Sequence, residues 1–197
     1  MTKPSLVFAS HNSNKIVEIR ALLPKYSIIS LSDLGFEADI PETGTSLEEN
    51  AEIKARRIFQ EFNKPVFADD TGLLVETLNG APGVYSARYA GAMANADANM
   101  NKLMAALENE PNRKAHFKTS ICFINETGSP RFFEGRVDGV ILTKKTGEKG
   151  FGYDPIFKAE GESLSFAEMD SASKNKISHR GRALSALINF LQDAEKK

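Results

Sequence analysis

Between Ser5 and Pro24 the spacing of apolar residues changes from that of a strand to that of a helix, and nothing else in the chain constrains its fold as strongly. Ser5 to Ala9 is a short apolar run of the kind that forms a buried strand. Ile16, Ile19, Leu22 and Leu23 then recur at helical spacing until Pro24, which stops a helix because its ring and missing N–H cannot continue the ladder. A strand, a polar turn and a helix in that order open an α/β chain.

The rest of the chain extends this reading. Tyr26 to Leu31 predicts a second strand, and after the loop GFEADIPETGT, Ser46 with Glu49 three positions on forms a capping box for a helix reaching about Phe62. Val66-Phe67-Ala68 reads as a buried strand that stops on Asp69 and Asp70, with Thr71-Gly72 at a turn. The stretch NGAPGVYSARYAG has the Gly and Pro density of a shaped loop, and a helix is expected from Asp97 to Glu108, before Pro111. AHFKTSICFIN and RFFEGRVDGVIL, around the turn ETGSP, predict an antiparallel hairpin. Leu184, Leu187, Ile188 and Leu191 share one face of a terminal helix that opens at SHRGR. The expected fold class is α/β, a mixed central sheet flanked by helices, with functional loops near strand ends. At 197 residues the chain is long enough for one substantial core, so residues 1–197 are expected to be a single domain.

Composition narrows the function classes. A formal net charge of -1 with 26% charged residues lacks the broad basic excess of a generic nucleic-acid binder, so any anion site must be local. The apolar run in MTKPSLVFAS is too short for a signal peptide, and no segment approaches the roughly 20 apolar residues of a membrane span. The one cysteine, Cys122, lies in the apolar stretch TSICFIN, cannot form an intramolecular disulfide and reads as a core thiol. A cytoplasmic enzyme or binding protein, with no nucleic-acid or membrane partner, is the expectation.

Five places carry chemistry. In SHNSNK, the residues Ser10, His11, Asn12, Ser13, Asn14 and Lys15 lie between the first strand and first helix. Hydroxyl and amide donors, backbone N–H groups at a helix start and a lysine suit a phosphate, and simple N-capping is the alternative. Glu42 in PETG and the pair Asp69, Asp70 offer hard oxygen ligands; Mg²⁺ often binds through one or two carboxylates while phosphate and water complete its shell. Neighbours on a strand point to opposite faces, so Asp69 and Asp70 are expected to do different jobs unless the turn brings them together; a solvated turn is the other reading. GFGYDP places Phe151 and Tyr153 where an aromatic ring could stack on a base or pack into the core, and SHRG offers donors from His179 and Arg180.

The ordered set SHNSNK, PETG, FADDTGL, GAPGVYSARYAG, GFGYDP and SHRG closely resembles the Ham1/RdgB family of non-canonical purine nucleoside triphosphate pyrophosphatases, also called inosine or xanthosine triphosphatases, from about Leu6 to Leu191. The resemblance implies an elongated two-lobed fold with a central nucleotide cleft, a cytoplasmic homodimer, and Mg²⁺-dependent hydrolysis of ITP, dITP and XTP to the monophosphate and pyrophosphate, which cleanses the nucleotide pool. It implies that Ser10 to Lys15 hold the triphosphate, that Glu42 and Asp70 bind metal, and that Asp70 accepts the proton. Thr71, Phe151, Gly152, Tyr153, Asp154, Lys174, His179 and Arg180 would contact substrate, the spacing to His179 favouring Lys174 over Lys176. Lys15 and Lys54 would stabilise developing charge, with Asp69 supporting the base or the metal's outer water. His11 stands where the family usually has glycine, and Thr71 where many relatives have serine. Hypoxanthine and xanthine present an oxygen at position six where adenine presents an amino group, so donors from His179 and Arg180 are expected to favour the former. Two other readings stay open: a nucleotide-binding regulator without turnover, and a pyrophosphatase with little base preference.

Overall fold

The computed structural model describes residues 3–93 and 95–194. Among these the strands form one seven-stranded sheet in the order β2-β1-β3-β5-β6-β7, with β4 paired to β3. The strands are β1 (Ser5–Phe8), β2 (Ser27–Ser30), β3 (Val66–Val75), β4 (Pro82–Gly83), β5 (Lys114–Ile124), β6 (Pro130–Ile141) and β7 (Phe157–Ala159). β1 runs parallel to β2 and β3, while β4 runs antiparallel to β3 and β7 antiparallel to β6, so the sheet is mixed, as expected. The helices are α1 (Ser13–Leu22), α2 (Leu47–Phe62), α3 (Ala96–Ala106), α4 (Ser171–Ile177) and α5 (His179–Ala194). The chain divides into two compact units, the first holding residues up to Asp70, Thr119–Gly135 and the chain from Arg180 onward, the second Thr71–Lys118 and Arg136–His179.

In the first unit, strand alternation sorts the core into two layers. Leu6, Phe8, Phe67, Ile121 and Phe123 pack with Ile16 and Ile19 of α1 and with Ala183, Leu184 and Leu187 of α5. Val7, Ala9, Val66, Ala68, Cys122 and Ile124 pack with Ala51, Ala55 and Ile58 of α2. α2 begins as the capping box predicts at its first bond, the Ser46 hydroxyl accepting from the Glu49 N–H at 3.1 Å. The Glu49 carboxylate reaches one residue further back than expected, accepting from the Thr45 N–H at 2.6 Å. In the second unit, Leu73, Val75, Phe117, Val137 and Ile141 pack with Leu103 of α3, with Leu107 just past its end, and with Ile156, Phe157 and Phe166.

The expected strand end at Asp69-Asp70 is corrected: β3 continues through both acids to Val75, and no turn lies at Thr71-Gly72. Leu73 and Val75 are fully buried and keep the strand period going. Nor is the pair solvated, since Asp69 is 1% and Asp70 7% exposed. α4, β4 and β7 were not anticipated. α4 has seven residues and is capped by the Asp170 carboxylate accepting from the Ser173 N–H, too short and too polar to show a helical apolar stripe.

Candidate active site

Because β3 alternates, its two acids face opposite layers of the first unit. Asp69 follows Phe67 onto the side of α1 and α5, and Asp70 follows Ala68 onto the side of α2. Each meets a different set of charges.

On the α1 and α5 side, Lys15 Nζ donates to Asp69 Oδ1 at 2.9 Å and Arg180 Nε to Asp69 Oδ2 at 3.2 Å. Arg180 also donates through Nη1 to Glu18 Oε2 at 2.6 Å. Burial alone would raise the Asp69 carboxyl, but the charges of Lys15, Arg180 and Lys54 more than reverse this and hold it well below the usual carboxylate range. Asp69 is therefore a permanent anion that holds two cations in place. Burial also lowers Lys15, with Asp69 opposing.

On the α2 side, Lys54 Nζ donates to Glu42 Oε1 at 2.5 Å and to the Asp69 carbonyl at 2.8 Å, and lies 3.7 Å from Asp70 Oδ1. Burial would lower Lys54; the Asp70 and Glu42 carboxylates raise it on balance. Asp70 goes the other way: burial pushes it up, Lys54 pulls it down, Glu42 pushes it up again, and the net shift is upward. The two neighbouring carboxylates are thus shifted in opposite directions by the charges each one faces.

The α1 N-terminus shows the N-capping that SHNSNK allows. Asn12 is the N-cap, its Oδ1 accepting from the Lys15 N–H at 3.1 Å, and Ser10 Oγ accepts from the Asn12 N–H at 3.2 Å. Asn12, Ser13 and Asn14 are exposed, and the first turn of α1 has no acidic residue, so the helix start presents positive potential without internal compensation. The His11 ring lies over Phe36 at 6.3 Å, with Nε2 3.3 Å from the Ala38 carbonyl.

In the second unit, Phe151 and Lys174 gather around Asp154. Its Oδ2 accepts from the Phe151 N–H and from Lys174 Nζ, both at 2.7 Å. Gly150, at φ 74°, has to be glycine here, because a Cβ would run into the Asp154 carboxylate. Lys174 Nζ stands 5.1 Å from the Phe151 ring centroid, a cation–π arrangement. Lys176 is exposed, so of the two lysines Lys174 belongs to this cluster. Tyr153 is a core residue whose hydroxyl donates to the Ser86 carbonyl at 2.9 Å. His179 stacks on Phe117 at 4.5 Å. Thr71 is half-buried on β3.

Two participants escaped the sequence reading, Asn50 and Glu18. Asn50 had a visible signal: Leu47, Asn50, Ala51, Lys54, Ala55 and Ile58 form the buried stripe of α2, so two polar residues occupy inward positions of an amphipathic helix. Glu18 had none, since its partner lies 162 residues away.

Among the described residues no group of three or more His, Cys, Asp or Glu side chains forms a metal cage. The donor set still fits Mg²⁺, because Glu42 and Asp70 are two hard carboxylates brought to one lysine ammonium, and this ion is commonly held by one or two carboxylates.

The model of the Ham1 family matches residues 6–190. A dITP/XTP pyrophosphatase of Flavobacterium psychrophilum is 50% identical over 189 residues, covering 95% of this chain and 99% of the relative. Another from Flavobacterium johnsoniae is 53% identical over 187 residues, covering 94% and 97%. The solved structure of the Staphylococcus aureus Ham1 protein superposes with a TM-score of 0.88 at 40% identity, covering 96% of this chain and 99% of that one. With two buried acids divided between two faces of one strand, and similarity running almost end to end, the chain belongs to the Ham1 family.

Proposed function

We propose that this protein hydrolyses deaminated purine nucleoside triphosphates, ITP, dITP and XTP, to the monophosphate and pyrophosphate, with Mg²⁺ as cofactor. The observation that carries the reading is the division of β3 into two charged faces, Asp69 held by Lys15 and Arg180 on one side and Asp70 beside Lys54 and Glu42 on the other. In the reaction a water oxygen bonds to the α-phosphorus while the bond from that phosphorus to the bridging oxygen breaks. Asp70 orients the water and takes its proton. Lys15, held by Asp69, and the exposed amides at the start of α1 bind the triphosphate. Lys54 keeps Glu42 and the Asp70 segment together. Bound at Glu42 and Asp70, Mg²⁺ would neutralise phosphate charge and acidify the attacking water.

Arg180 is the first unit's proposed donor to the base oxygen at position six. Its plane is set by Asp69 and Glu18, so it can present donors without reorganising. From the second unit, Thr71, Phe151 to Asp154, Lys174 and His179 are proposed substrate contacts, Phe151 through its ring. A homodimer acting in the cytoplasm is part of the same proposal; among the described residues no helix is long and apolar enough to cross a membrane.

The test is product analysis: purified protein with ITP, dITP, XTP, ATP or GTP, with Mg²⁺ or with EDTA. IMP plus pyrophosphate from ITP, lost in EDTA and far slower from ATP, is the expected result. Binding without products would overturn it in favour of a regulator, and equal turnover of ATP would make the enzyme a general pyrophosphatase. Size-exclusion chromatography with light scattering tests the dimer.

A further inference from the structure

Asn50 is completely buried, and its amide joins two segments that both belong to the carboxylate pair. Its Oδ1 accepts from the Gly44 N–H at 2.8 Å, and its Nδ2 donates to Asp70 Oδ2 at 3.1 Å. The amide can point only one way, because a backbone N–H requires an acceptor and so turns the NH₂ group toward Asp70. Gly44 lies two residues after Glu42, and a Cβ on it would sit 2.8 Å from Asn50 Oδ1 and 2.6 Å from Glu49 Cβ. The PETG loop therefore rests on α2 at a distance only glycine permits. One helical turn on, Lys54 grips the Glu42 carboxylate. Residues four apart share a helix face, so α2 holds Glu42 by two routes and Asp70 by the same two side chains.

We propose that Asn50 is a positioning residue for the hydrolysis. By engaging Oδ2 it turns Oδ1 of Asp70 toward the chemistry, and through Gly44 it sets the spacing between Asp70 and Glu42. The proposal rests on the reading of Glu42 and Asp70 as the metal pair. Asparagine is the side chain that serves: aspartate would keep the bond from Gly44 but set a second carboxylate oxygen 3.1 Å from Asp70 Oδ2, and alanine would take the Nδ2 donor away from a buried carboxylate. Partners that orient a metal ligand change metal affinity or activity by about 10–100-fold when removed.

The experiment compares wild type, Asp70→Asn, Asn50→Asp and Asn50→Ala. Calorimetry gives the affinity for α,β-methylene-ITP, which resists cleavage at the expected bond, once in Mg²⁺ and once in EDTA. The ratio of the two affinities isolates the metal's contribution, and steady-state kinetics on ITP supplies kcat and KM. We expect both Asn50 variants to lose about tenfold or more in that ratio and in kcat, with affinity in EDTA unchanged. Asn50→Ala, which adds no charge, decides the matter if Asn50→Asp does not accumulate as folded protein. A purely structural role would weaken both affinities together and leave the ratio intact, which overturns the proposal. If Asp70→Asn loses the ratio while the Asn50 variants keep it, Asn50 alone is wrong; if Asp70→Asn keeps it, the metal reading fails and the proposal with it.

Discussion

Arg180 is 3% exposed and spends two donors on Asp69 and Glu18, so its removal acts on substrate choice and on stability at once. Arg180→Ala leaves Asp69 fully buried with one cation fewer, and breaking a buried charge pair typically costs ~3–5 kcal/mol, so the melting temperature is expected to fall. The ratio of kcat/KM for ITP to that for ATP is independent of how much enzyme is folded. That ratio is expected to shrink in the variant, because an acceptor at position six loses its donor while the amino group of adenine loses a mismatch. An unchanged ratio with a lowered melting temperature would reduce Arg180 to a support for Asp69. That neighbouring acids on a strand would face opposite sides was legible from Asp69-Asp70 in the sequence, by alternation alone. Which cation each would meet was not, since Arg180 comes to Asp69 from 111 residues along the chain.

Helix α2 carries the residues that hold the carboxylate pair, and Ser46 caps its start. Ser46→Ala removes the acceptor for the Glu49 N–H and is expected to cost about 1 kcal/mol of stability, read by chemical denaturation, with kcat for ITP unchanged. Strand β5 contributes a pH dependence through His116, which is lowered from its ordinary value of 6.5 by burial first and by Arg136 next. The unfolded chain then binds the proton more readily than the folded one, so this stabilisation is complete above pH 6.5 and is lost as pH falls through the folded value. Melting temperatures at pH 7 and pH 5.5 should differ less in His116→Gln than in wild type; equal differences would show that His116 contributes nothing to the slope. The elements legible in sequence were those long enough to display a period, such as α1 with its stop at Pro24 and α2 with its cap. β4 and β7 have two and three residues, less than a period needs to declare itself. The continuation of β3 was hidden because two adjacent acids look like a surface until their cations, from α1, α2 and α5, are placed.

The chain passes between its two units at residues 70/71, 118/119, 135/136 and 179/180. The first three passages fall inside β3, β5 and β6, and the last falls at the first turn of α5. Neither unit is a continuous stretch, so heat or denaturant is expected to unfold both in one cooperative step. Two native probes can test this. Cys122, in the first unit, is fully buried with its thiol pushed up to about 12, and should react with thiol reagents only on unfolding. Three of the four tyrosines, Tyr85, Tyr89 and Tyr153, lie in the second unit and dominate intrinsic fluorescence in a chain without tryptophan. Coincident midpoints for thiol labelling and tyrosine emission are expected, and separated midpoints would mean that the units melt independently. The same interleaving restricts how such a protein can be recombined. Exchanging the second unit with that of a relative would require four splices, three of them in mid-strand where both parents must share pairing register, so its substrate preference is open to point substitution and closed to module shuffling.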